Sequence, residues 1–458
     1  MNQNLSDGSH LSDLIDRENR EIHQRVLNDD EIHKIEMQTI FARTWNIVGH
    51  LSEIPNVGDF IARQIGEEPV IISRGRDNQL NCVLNACSHR GATVCREDAG
   101  NSSVFRCIYH GWVFNHDGSF RGAPYQEQLF PKDCDTSRFS LKRARVATFC
   151  DIIFATWDEQ APELEAYLGD FAWYLRGIFG RCDYKVLGPP HQFVQKANWK
   201  TASEQFAGDA YHASQLHRSL ADLLPIDRND PARWSLCDPK VGTDEGHSTI
   251  CFDQVERIRR AAKGDGENLT PLERLTILPP PGMTVEQVPE MAKRFSEQEL
   301  ELLSTNPPSQ CAIFPNAAIW SNSAPLPDGR SFTSYLSLRV HLPCGPDKFK
   351  FMMWSFVAAD ASPEYCESVR QVASFSQGAT GFVEMDDAEV WPGITHNGKG
   401  PVGGSNRLKY PFIGKEGKPE GWPAGGHVYT GYSSDDTQWG WWLRYFDFLE
   451  GNAKGYDQ

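Results

Sequence analysis

Two short Cys/His pairs stand in the first quarter of the chain: Cys87-Ser88-His89 and, after seventeen intervening residues, Cys107-Ile108-Tyr109-His110. Each sets one thiolate and one imidazole on a short loop, so the two together offer four metal donors. Four donors around one ion would make a structural Cys2His2 zinc site, although zinc fingers group both cysteines and then both histidines. Alternatively, two thiolates hold one iron and two imidazoles the other iron of a [2Fe–2S] rhombus. Neutral imidazoles raise the potential of such a cluster to about −150 to +300 mV, against about −400 mV for an all-cysteine plant-type cluster. One donor of each kind per loop suits the cluster, whose two irons each draw on both loops.

A second set lies beyond position 200. His212 and His217 are five apart in a segment, 198–220, that reads as a helix. Five residues advance about 500°, or 140° net, so an ideal helix does not quite converge both rings on one ion. A local distortion after His212, or a helix end near Leu216, would bring them together. A lone His-X4-His is ordinarily a pair of surface or core histidines. Asp209, three residues before His212, changes the balance, because its carboxylate can accept the imidazole's second N–H and fix its tautomer. The acidic run Glu384-Met385-Asp386-Asp387, with Glu389 after it, reads by itself as a solvated loop.

The boxes Cys87-Ser88-His89-Arg90-Gly91 and Cys107-Ile108-Tyr109-His110-Gly111-Trp112 resemble the two signature boxes of Rieske proteins. The block Glu204-X-Phe206-X-Gly208-Asp209-X-Tyr211-His212-X4-His217 resembles the mononuclear-iron motif of the large (alpha) subunits of Rieske non-haem iron aromatic-ring-hydroxylating dioxygenases. The resemblance covers most of the chain and weakens over 220–310. It implies a Rieske [2Fe–2S] cluster on Cys87, His89, Cys107 and His110, and a mononuclear Fe(II) on His212, His217 and a carboxylate. The segment Gly381 to Asp387 is similar to the one that holds the third ligand, and alignment gives that role to Asp387. Asp386 is its rival, Glu384 and Glu389 weaker ones. Such a 2-His-1-carboxylate triad leaves positions open for O2 and substrate-side ligands.

The resemblance further implies that Asp209 bridges electron transfer, joining His212 to His110 of a neighbouring subunit. Aligned pocket positions are Gln205, Phe206, Ala210, Ala213, Gln377 and Val383. Gln205 departs from the asparagine many relatives carry. No arginine falls among these positions to pair with a carboxylate, which favours a neutral arene, polycyclic or substituted. The implied activity is NAD(P)H-driven, O2-dependent cis-dihydroxylation of an aromatic ring by a terminal oxygenase. Hydroxylation or dealkylation by a related monooxygenase is the alternative, and a non-catalytic Rieske electron carrier the remote one. Implied partners are a small beta subunit in an α3β3 assembly (otherwise α3), and a ferredoxin, an NAD(P)H reductase or both.

The elements that must position these residues read as α+β: an all-β Rieske domain, then a larger catalytic domain with an antiparallel sheet surrounded by helices. Residues 1–43 form an N-terminal helical segment, with Ile22, Val26, Ile32, Ile35, Ile40 and Phe41 at roughly helical spacing. Residues 44–160 form the β domain, in short strands such as Pro69-Val70-Ile71-Ile72 broken by turn residues. Residues 161–458 form the catalytic domain. Helices are expected over 162–179 and 198–220, strands over 311–320, 331–342 and 349–359, and a helix over 362–377. The charged stretch 238–308 is expected to be mostly surface loop and helix.

Bulk properties exclude other classes. At 458 residues the chain is long enough for two domains. Its formal net charge of −16, with lysine and arginine only in short groups such as Arg257 to Arg260, argues against nucleic acid. No apolar run approaches the roughly 18–20 residues of a membrane span. The polar first thirty residues carry no signal-peptide pattern, so a cytoplasmic location is expected. Most of the twelve cysteines read as reduced, buried thiols.

Overall fold

Strands punctuated by Gly, Asn and Asp turns build the smaller of two units in the computed structural model, residues 37–164. The larger unit comprises 1–36 and 165–458. Within these, residues 4–223, 234–262, 268–328, 331–453 and 455–456 are described.

In the smaller unit a seven-stranded antiparallel sheet runs Asn46–His50, Ile152–Thr156, Arg143–Phe149, Leu80–Leu84, Glu68–Arg74, Asp59–Ile65, Ala99–Asn101. Beside it Phe105–Arg106, Val113–Phe114 and Phe120–Gly122 make a three-stranded sheet. The first Cys/His box follows strand Leu80–Leu84, and the second joins the first two strands of the small sheet. Cys87 and Cys107 pack into a core with Phe60, Ile71, Val83, Phe105 and Phe114.

The larger unit is built on a ten-stranded antiparallel sheet. Its long central strands are Pro308–Ile313, Ala317–Pro325, Phe332–Pro343 and Phe349–Ala358. Helix Trp199–Phe206 packs on the first three of them and against helices Phe382–Asn397 and Asp436–Glu450. No helix among the described residues is long and apolar enough to cross a membrane.

Several sequence expectations differ from what folds. Residues 13–43 are not one helix. A 3-10 turn at Leu11–Leu14 is followed by the paired strands Ile15–Asp16 and Glu21–His23, and helix begins only at Asp30–Glu36. The Asp16 carboxylate accepts the backbone N–H groups of Glu18 and Asn19, a local turn that competes with helix. Residues 1–36 and 37–43 fall in different units. The helix expected over 162–179 is two, Leu164–Leu168 and Phe171–Phe179, separated at Gly169 with φ +50. The stretch 238–308 is not only surface: Lys240–Gly242 and Ser248–Cys251 are strands of the main sheet. Their brevity hides the alternation that identifies a strand. Positions 263–267 of that stretch lie outside the described residues.

Candidate metal centres and active site

The two Cys/His boxes fold as equivalent tight turns. The Gly91 N–H bonds the Cys87 carbonyl at 2.7 Å, and the Gly111 N–H bonds that of Cys107 at 2.9 Å. Gly91 and Gly111 have φ of +73 and +72, a conformation costly to any side-chain-bearing residue, which explains the glycine closing each box. The rings of His89 and His110 lie 4.6 Å apart, and His89 stacks on Trp112. Cys87 and Cys107 are buried, and burial raises the Cys87 thiol. His89 Nδ1 is buried with no hydrogen-bond partner, a donor atom held where only a further group could satisfy it.

A single tetrahedral zinc would need at least three of these donor atoms close together. Among the described residues, the only His, Cys, Asp or Glu set whose donor atoms all lie within 4.8 Å is elsewhere. The two loops, each bringing one thiolate and one imidazole, fit a two-iron cluster.

That other set is His212, His217 and Asp387. The helix expected over 198–220 ends at Phe206, and the break comes before His212 rather than after it. Gly208 makes the break possible, because a side-chain carbon there would fall on the Thr437 hydroxyl. Lys240 Nζ donates to the Gly208 carbonyl at 2.5 Å and to the Ser434 carbonyl at 2.7 Å, pinning the turn. His212 then precedes, and His217 ends, the single helical turn Ala213–Leu216.

The two Nε2 atoms stand 3.3 Å apart, and Asp387 Oδ1 lies 3.5 Å from one and 3.6 Å from the other. A point equidistant from all three is about 2.0 Å from each, close to ordinary metal–N and metal–O bond lengths. Asp387 Oδ1 is itself buried without a hydrogen-bond partner. The residues fit an ion held by three ligands.

Each histidine is backed by its own carboxylate. Asp209 Oδ1 accepts the His212 backbone N–H at 3.2 Å, and its Oδ2 lies 3.3 Å from Nδ1. Asp386 Oδ2 is 3.2 Å from His217 Nδ1. The two neighbouring aspartates thus have different surroundings, Asp387 at the donor cluster and Asp386 behind it. Burial works against charge on His212, but Asp209 and Asp387 raise it to about 9. Burial likewise opposes charge on Asp209, yet His212 and then Lys240 hold its carboxyl below the usual value.

Helix Phe382–Asn397 presents Glu384, Asp387, Ala388, Trp391 and Thr395 as its buried face, at helical spacing. The Trp391 indole N–H donates to Gln205 Oε1 at 2.8 Å, which turns the amide nitrogen to within 3.4 Å of His212 Nε2. Glu389 is exposed and takes no part.

One cavity of about 210 Å³ joins the donor cluster to the six aligned pocket positions, Gln205, Phe206, Ala210, Ala213, Gln377 and Val383. Sequence reasoning missed one of its walls. Arg339, from strand Phe332–Pro343 and outside the six aligned positions, lines the cavity at 1% exposure. Its guanidinium is committed to Glu384 Oε2 at 2.8 Å and Gln377 Oε1 at 3.0 Å, which still disfavours an anionic substrate. Burial pushes the Glu384 carboxyl up to about 7 against the pull of Arg339. Arg339 carried no signal because both faces of its strand are buried, so alternation does not mark the cavity side.

Comparison with known proteins agrees with this geometry. Residues 44–147 match the Rieske [2Fe–2S] domain, and residues 165–411 match the ring hydroxylating alpha subunit (catalytic domain). The chain is 32% identical to the N,N-dimethyl phenylurea N-demethylase subunit alpha of Sphingobium sp. (strain YBL2), over 87% of this chain and 86% of that protein. It is 31% identical to the biphenyl dioxygenase subunit alpha of Paraburkholderia xenovorans (strain LB400), over 82% and 80%. The structure of naphthalene 1,2-dioxygenase from Rhodococcus sp. bound to indole superposes with a TM-score of 0.82 at 30% identity, covering 94% of both chains. With both domain matches in order along one chain, this protein belongs to the alpha subunits of the Rieske ring-hydroxylating oxygenases, with a [2Fe–2S] domain and a catalytic domain that binds mononuclear iron in family members.

Proposed function

We propose that this chain is the catalytic subunit of a terminal oxygenase acting on an aromatic substrate, with His212, His217 and Asp387 holding the mononuclear iron. The cluster sits on Cys87, His89, Cys107 and His110. The observation that carries the reading is the set of three donor atoms within 3.6 Å of one another, opening on a cavity lined by Phe206, Ala210 and Val383. When bound, the iron supplies O2 activation with electrons delivered through the cluster. The protein's own work is to orient and enclose. Asp209 and Asp386 fix the two imidazoles in one tautomer. Trp391 holds the Gln205 amide beside the donor cluster, and the apolar wall excludes water from the ring.

Our first reading of the reaction is cis-dihydroxylation, the activity named in the biphenyl dioxygenase relative. Oxidative N-dealkylation is the second, and two observations favour it. One is similarity of equal strength to an N-demethylase; the other is the polar corner of Arg339, Glu384 and Gln377 in the cavity wall. Incubation with arenes and N,N-dimethyl arylureas under 18O2, with a compatible ferredoxin and NAD(P)H reductase, separates them. A cis-diol with two labelled oxygens supports dihydroxylation; a demethylated product with formaldehyde supports dealkylation. About three irons and two acid-labile sulfides per chain are expected, and zinc without sulfide would overturn the proposal.

We also propose an α3 or α3β3 assembly in the cytoplasm, in which Asp209 links His212 to His110 of the next subunit. Asp209→Asn should keep the cluster's visible spectrum and most of its iron, yet lower turnover by at least about 100-fold, since it removes both the bridge and the charge that orients His212. Turnover at the wild-type rate in that variant would end the bridge assignment.

A further inference from the structure

Several buried polar atoms in the wall of this cavity have no hydrogen-bond partner, and two of them belong to one ion pair away from the donor cluster. Arg339 and Glu384, 1% and 2% exposed, form a buried pair in the wall. Arg339 Nη1 takes Glu384 Oε2, while Nη2 takes Gln377 Oε1 and lies 3.3 Å from the Ser337 hydroxyl. Glu384 Oε1 is left buried with no hydrogen-bond partner, and so is Arg339 Nε. With its carbonyl oxygen taken, Gln377 has its NH2 left to donate. An unpaired buried carboxylate oxygen costs roughly 1–3 kcal/mol or more, so Glu384 Oε1, buried in a residue that lines the cavity, is an acceptor that a ligand donor would satisfy.

We infer that Glu384 and Gln377 form a subsite for an uncharged substituent of the secondary amide or urea type on the aromatic substrate, its N–H donated to Glu384 Oε1 and its carbonyl accepting from Gln377. Arg339 positions both and is not itself the recognition group. An acid would bring a second negative charge beside Glu384, and a plain hydrocarbon would leave Oε1 unpaired. This inference rests on the oxygenase reading of the same cavity. It is tested by binding without turnover, so its failure is distinct from a failure of the reaction, which the labelled products report.

Three probes share one shape. Acetanilide carries N–H and C=O, phenyl acetate carries only C=O, and isobutylbenzene carries neither. Their dissociation constants are measured on the unreduced holoenzyme by calorimetry. Acetanilide is expected to bind at least about tenfold more tightly than either of the others. Glu384→Gln, which sets an NH2 where the free oxygen stands, should remove or reverse the preference over phenyl acetate. Because that variant leaves Arg339 unpaired, the double substitution Arg339→Met with Glu384→Leu is made alongside it and should turn the preference toward isobutylbenzene. Level affinities in the wild type would mean that a water fills the corner and would overturn the inference. So would a wild-type ratio in either folded variant. If neither variant folds, the wild-type series decides alone.

Discussion

Asp387→Ala is expected to empty the mononuclear site and reduce turnover to below about 1% of wild type, while leaving the cluster's absorption intact. Iron should fall from about three to about two per chain, with acid-labile sulfide unchanged. The reason is geometric. Asp387 Oδ1 closes the triangle with His212 Nε2 and His217 Nε2, and without it two imidazoles remain to hold a labile ferrous ion. Asp386 provides the internal control one residue away. Its carboxylate touches His217 Nδ1, on the far side of the ring from the donor cluster. Asp386→Asn should weaken iron retention by about 10–100-fold, the usual cost of losing a ligand-orienting partner, and excess ferrous iron should restore its activity. Metal analysis and turnover, each with and without added iron, check both. If Asp386→Asn loses the iron irreversibly while Asp387→Ala keeps it, the two roles must be exchanged.

That contrast shows what the sequence could carry. The Cys/His boxes were legible because their ligands are close in sequence and each turn demands its own glycine, at 91 and 111. His212 and His217 were legible as a pair, but the backbone that converges them was not. Helical periodicity cannot reveal that a chain breaks at Gly208 because Thr437, over two hundred residues away, occupies the space of a side chain. Asp386 and Asp387 could not be told apart from composition. Helix phase separates them: Asp387 shares the buried face with Glu384 and Trp391, and Asp386 is turned about 100° from it. Arg339 escaped for a different reason. In a strand covered on both sides, a charged residue gives no clue to which side it faces or what neutralises it. Its partner Glu384, a weaker candidate for the third iron ligand by sequence, gives one carboxylate oxygen to the guanidinium instead.

Lys200→Met is expected to destabilise the fold by about 3–5 kcal/mol, through a residue that touches no metal donor. Helix Trp199–Phe206, which leads to the Gly208 break, is fastened at its first turn to Glu36. Glu36 is wholly buried and accepts from Lys200 Nζ, from the Trp199 indole N–H at 3.0 Å and from the Tyr445 hydroxyl at 2.6 Å. It thereby joins helices Asp30–Glu36, Trp199–Phe206 and Asp436–Glu450. Burial opposes charge on both members of the ion pair. It lowers Lys200 against the pull of Glu36, whereas Lys200 and the hydrogen bonds outweigh it on Glu36 and lower that carboxyl to about 2. Removing the lysine leaves the buried carboxylate with His33, its Nδ1 3.8 Å away, in place of the ammonium, whereas removing both partners leaves no carboxylate to compensate. Lys200→Met with Glu36→Leu should therefore recover much of the loss, despite deleting more polar contacts. Because the Glu36 carboxyl is lower in the folded chain than its ordinary 4.5, its share of stability is present above about pH 4.5. That share should fade as the pH drops toward 2 and should be missing from the double variant's profile. Urea unfolding of the three proteins between pH 3 and 7 measures both effects. A double variant no more stable than Lys200→Met would show that the network stabilises by its hydrogen bonds rather than by pairing its charges.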